Sequence, residues 1–125
     1  MGANCAHNWS MFWEGASVRS YTPERLAAIN AATVSYNGEE ILRYKATQMQ
    51  RAQERKIRAE KRAFLVAKES GQKDAEKAAA AKLAASRTKM KDFLSQTGLQ
   101  QYQLRESVPG FGRSEAASAT AQARK

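Results

Sequence analysis

From Glu39 to Thr97 the chain is dominated by helix formers, chiefly Lys, Arg, Gln, Glu and Ala, and is interrupted once, at Ser70-Gly71. A stretch of that length and composition has one economical solution, two helices that double back on each other across a glycine break. Apolar or small residues recur at three- and four-residue spacings in both arms. In the first they are Leu42, Ala46, Met49, Ile57, Phe64 and Ala67, with Gln53 and Glu60 interrupting the seam. In the second they are Ala75, Ala79, Leu83, Ser86, Met90, Phe93 and Leu94. An Ala-rich seam lets two backbones approach closely but buries little area, at roughly 0.8 kcal/mol per CH₂ group, so marginal stability is expected of the chain alone.

The predicted architecture is all-α: a short helix, a long antiparallel hairpin over about residues 39–69 and 72–96, an irregular aromatic N-terminal arm and a disordered tail. In domain terms these are an arm at 1–21, a helical domain at 22–112 and a tail at 113–125. Thr22-Pro23-Glu24 supplies a hydroxyl N-cap, a first-turn proline and an acid at the positive dipole end, which starts a helix running to about Ala31. Asn37-Gly38 is a turn signal, and Thr33–Tyr36 with Ile41-Leu42 could form a β-hairpin around it. That hairpin is rejected in favour of a long helix opening on Glu39-Glu40, since the following thirty residues read as helix. Gly98 closes the second arm. Pro109-Gly110-Phe111-Gly112 ends any further helix, and the Ala- and Ser-rich tail ending in Arg124-Lys125 is expected to be unstructured.

Twenty-one Lys and Arg face 12 Asp and Glu, a formal charge of +9 that favours polyanionic or acidic partners. Arg51, Arg55, Arg58 and Arg62, with Lys61 beside them, form a stripe on the first long helix, suited to a phosphate backbone or an acidic protein surface. A solvated helix face laced with internal salt bridges is the plainer reading of the same residues. No aromatic residue interleaves with the stripe, which argues against base stacking. The aromatic residues Trp9, Phe12 and Trp13 sit instead in the N-terminal arm, as docking candidates for the hairpin or for a separate protein module.

Catalytic chemistry finds little footing. Cys5 and His7 are the single cysteine and single histidine, so a closed zinc site would need ligands from another chain, and no cofactor is expected. One histidine far from any Gly-flanked serine makes no triad. Of the carboxylates Glu39, Glu40, Glu54 and Glu60, most are expected on exposed helix surface, where raised pKa values are not expected. The Pro109–Arg113 loop lacks the Lys-Ser/Thr of a phosphate-binding loop and is not expected to open a helix. No apolar run approaches the ~20 residues of a membrane span, and no secretory signal is evident.

Several segments in order and spacing resemble one family. They are Asn4–Asn8, Phe12-Trp13-Glu14-Gly15, Ser20–Glu24, Tyr36-Asn37-Gly38, Tyr44–Arg51, Glu54–Arg62, and Thr97-Gly98-Leu99 with Arg105-Glu106. Together they are similar to the C-terminal part of phage minor capsid proteins, the minor capsid protein 2 group related to head-morphogenesis proteins. The resemblance covers about residues 4–113. It implies a non-enzymatic virion protein made in the host cytoplasm and placed inside the head near the portal. Portal or other capsid proteins would be its partners, packaged DNA a further one, with no membrane and no small-molecule substrate. It transfers no catalytic residue. A portal-associated helical module precedes this stretch in the family and is expected to be missing here, so the chain is expected to correspond to a C-terminal part. The alternative function is a basic helical hairpin that binds nucleic acid non-specifically.

Overall fold

The computed structural model describes residues 11–18 and 21–124. In chain order its elements are α1 (Pro23–Ala31), β1 (Thr33–Tyr36), β2 (Glu39–Leu42), α2 (Arg43–Glu69), α3 (Lys73–Thr97), a 3-10 turn (Gln103–Glu106) and α4 (Arg113–Ala123). The long α2–α3 pair is the frame, and the fold is mostly helical with one small antiparallel sheet. Helix α1 occupies the expected span: the Thr22 hydroxyl accepts from the Arg25 N–H at 3.2 Å and Pro23 stands at the first position. Gly71, at φ +70°, supplies the left-handed step that turns α2 into α3.

The β-hairpin rejected from sequence is present. Asn37 and Gly38 both have positive φ, as a type I′ turn requires, and that turn matches the natural twist of two strands. Val34 faces Ile41 in the register, and Tyr36 faces Glu39. Glu39-Glu40 therefore belong to β2, and α2 begins four residues later, at Arg43. A two-stranded hairpin is marginal by itself. Here it leans on the C-terminal end of α3, where the Tyr36 ring meets Phe93 edge-on at 5.0 Å and Gln96 Oε1 accepts from the Asn37 N–H at 2.8 Å. Local turn chemistry with a docking surface outweighed the helix propensity of four residues.

The tail, expected to be disordered, likewise carries a helix, α4. Pro109-Gly110 makes a tight turn, with Gly110 at φ +81° and the Phe111 N–H donating to the Val108 carbonyl at 3.1 Å. Helix α4 opens directly after it, contrary to the expectation that this loop opens no helix. Glu115 accepts from the Gly112 N–H at 3.1 Å, and its own backbone N–H together with that of Gly112 holds its carboxyl below the usual glutamate range. Alanine does for α4 what larger side chains would prevent. Ala119 sits almost fully buried against α3 beside Ala80 and Leu83, with Ala79 and Ala123 at the margin. Polar links fasten the ends: Lys68 lies 3.7 Å from Glu115, and the Gln122 amide donates to Glu76 at 3.5 Å.

Ile57, Phe64, Ala80, Leu83, Met90 and Ala119 form the core, and Phe111 closes one side with its ring edge-on to Phe64 at 6.0 Å. The α2 seam is wider than its apolar pattern. Met49, Gln53 and Glu60 are half-buried as the pattern predicts, and Gln53 and Glu60 both reach Ser86 of α3. A second row, Gln50, Glu54 and Lys61, is more deeply buried beneath the segment returning from α3. Apolar periodicity carries no trace of that row, because it is polar.

Candidate partner-binding surfaces

The predicted basic stripe divides. Arg51, Arg55 and Arg62 are exposed on the outer side of α2. Arg58 and Lys61 turn toward the return segment, where Arg58 donates to the Arg105 carbonyl and the Lys61 ammonium to that of Glu106. Lys61 is only 9% exposed, so it leaves the stripe and joins the interior. Burial and the neighbouring Arg87 hold its ammonium below the usual lysine range.

The return segment adds a cation that periodicity did not offer. Arg105, on the 3-10 turn, stacks its guanidinium over Tyr102 at 4.2 Å and joins Arg51, Arg55 and Arg58 around a shallow hollow of about 270 Å³ whose floor is Glu54. No local spacing signals this meeting, because it depends on the path of the chain after Gly98. Glu54 is buried, not exposed as expected, and its Oε1 accepts no hydrogen bond from a described residue. Burial pushes its carboxyl above the usual glutamate range, against the pull of Arg105, Arg58 and Arg51. The result is a ring of guanidinium groups with one acid beneath them, suited to holding an anion by charge.

A second, larger concavity of about 690 Å³ lies between α2, α3 and the return segment. The plain helical hairpin expected from sequence gave no sign of it. It opens to solvent and pairs an apolar floor with Lys61, Arg87, Lys91 and Glu106 at its walls.

In the arm, Phe12 and Trp13 are 55% and 66% exposed, and the Trp13 carbonyl accepts from the Ala16 and Ser17 N–H groups in a short turn. Trp9, Cys5 and His7 lie outside the described residues. Among the described residues no three metal-ligating side chains cluster, and no helix is long and apolar enough to cross a membrane.

The model of the family described as Phage minor capsid protein 2 matches residues 1–95, which takes in the arm, the β-hairpin, all of α2 and most of α3. The chain belongs to that family. Its role is therefore structural, as a virion component, and its surroundings are other virion proteins. No curated protein and no solved structure matches it. The family match ends before α4 and before the return segment, which completes both the hollow around Glu54 and the larger cleft.

Proposed function

We propose that this phage minor capsid protein acts without catalysis in virion head assembly, inside the capsid near the portal, through protein–protein contacts. The observation that carries the reading is the family match across the arm and the hairpin. The geometry agrees with it. The α2–α3 pair is a braced rod with a basic outer row, and Phe12 and Trp13 stand largely exposed in the arm that precedes it. Aromatic anchors of that kind dominate the energetics of protein interfaces, whereas rim charges steer association. In this reading the arm docks on a portal-associated module or a neighbouring subunit, and the hairpin presents Arg51, Arg55 and Arg62 to capsid protein.

The test is co-sedimentation of the chain with procapsids at ~1 M salt, where the screening length is about 3 Å and purely ionic contacts fail. Retention in the head fraction, lost in a Phe12→Ala/Trp13→Ala double variant, is the expected result. Release by salt alone would defeat the reading.

One observation favours a second reading, non-specific binding of packaged nucleic acid: the convergence of Arg51, Arg55, Arg58 and Arg105 on one hollow. Duplex affinity should then fall steeply with salt, each phosphate contact adding about 0.9 to the logarithmic slope.

A further inference from the structure

The larger cleft is unlike the arginine hollow in one respect: it has an apolar floor. Ile57, Met90, Leu94 and Phe111 form that floor. Lys61 Nζ and Arg87 Cζ stand 5.4 and 5.6 Å from the centre of the Phe111 ring, so two cations meet one aromatic ring. With Lys91 the cleft gathers three cations against the one carboxylate of Glu106, and Glu106 Oε1 is engaged by the Gln101 amide at 3.2 Å. None of the three cations is among the ion pairs of the described residues. A buried ammonium beside a guanidinium is an unfavourable pairing, and an entering anion would relieve it.

We propose that this cleft is a docking site for a segment of another virion protein that presents a carboxylate beside an apolar side chain. The carboxylate lies between Lys61 and Arg87, within reach of Lys91, and the apolar group covers Met90, Leu94 and Phe111. Charge complementarity selects the anion, and the floor selects what accompanies it. A phosphodiester backbone fits poorly here. It has no apolar body to cover the floor, and Glu106 repels an extended polyanion while tolerating a single carboxylate. The inference rests on the assembly reading for the source of its partner, but not for the chemistry of the site.

The test uses the full chain and backbone amide NMR, titrated separately with N-acetyl-leucine and with N-acetyl-leucinamide, which has the same body without the charge. Saturable shifts at Leu94, Gln101–Ser107 and Phe111 are expected with the acid, and binding of the neutral amide about tenfold weaker. Arg87→Gln and Lys91→Gln should each weaken the acid several-fold, while Lys77→Gln, on exposed α3 surface, leaves it unchanged. The same spectra report whether each variant is folded. Equal binding of acid and amide, equally tight binding of inorganic phosphate, or the same shifts produced by a DNA duplex would overturn the proposal. A chain that enters heads but ignores N-acetyl-leucine defeats this inference alone. One that binds the acid but never enters heads defeats the assembly reading alone.

Discussion

The two flanks of α2 carry the same residue types to different ends. On the outer flank Arg51, Arg55 and Arg62 are exposed, and no hydrogen bond or ion pair among the described residues ties them to the rest of the fold. On the inner flank Gln50, Arg58 and Lys61 donate to the main-chain carbonyls of Gln100, Arg105 and Glu106. What separates them is whether an acceptor lies within reach. Charge alone predicts neither burial nor exposure for a long amphipathic side chain, because its stem packs while its head seeks a partner.

The comparison breaks most decisively where it is apolar. Phe64→Ala in the core should cost about 3–5 kcal/mol in chemical denaturation, a large share of the roughly 5–15 kcal/mol that holds a domain of ordinary stability. Next comes the inner row. Gln50→Ala withdraws the donor from the Gln100 carbonyl, 2.8 Å away, and should cost about 1–3 kcal/mol by the same measurement.

A smaller, pH-dependent effect belongs to Glu54. Its folded pKa is raised above the unfolded value by burial, so the native state binds its proton more tightly than the unfolded chain does. Its contribution therefore turns more favourable as pH falls from neutrality through the raised folded value toward the ordinary glutamate range. Glu54→Gln should remove that increment. The difference in stability between variant and parent, measured from pH 7 down to pH 4, is expected to shift in favour of the parent as acid is added. A flat difference would mean that the carboxylate is well solvated. The outer row should register least of all: Arg55→Ala is expected to stay within about 0.5 kcal/mol of the parent, while lowering the salt slope of any duplex binding by about 1.

Much of this was legible in the residues. Thr22-Pro23 marked α1, Gly71 the reversal between the long helices and Gly98 the end of α3, because each signal is local and each helix is long enough for periodicity to speak. Three things were not. The β-hairpin lost to the helix propensity of its neighbours, although Asn37-Gly38 was the stronger local cue. Helix α4 was taken for a disordered tail because alanine and serine bury too little to look like a core, yet a flat Ala surface on α3 is a place where a second Ala surface can lie. The inner polar row was invisible because its partners are carbonyls some 45–50 residues away, and carbonyls have no letter in a sequence. Both concavities inherit that blindness, since each needs the return segment for a wall.

Fastening a strap by its peptide oxygens has a consequence for how such a molecule can change over generations. Any amino acid provides the same oxygen, so these three bonds from α2 to the strap, at Gln100, Arg105 and Glu106, do not depend on which side chains stand there. Leu104, almost wholly in solvent, is thereby free to be rewritten. The clasp stays put while the lettering on the ribbon is altered, which lets one scaffold acquire new surface specificities without being refolded.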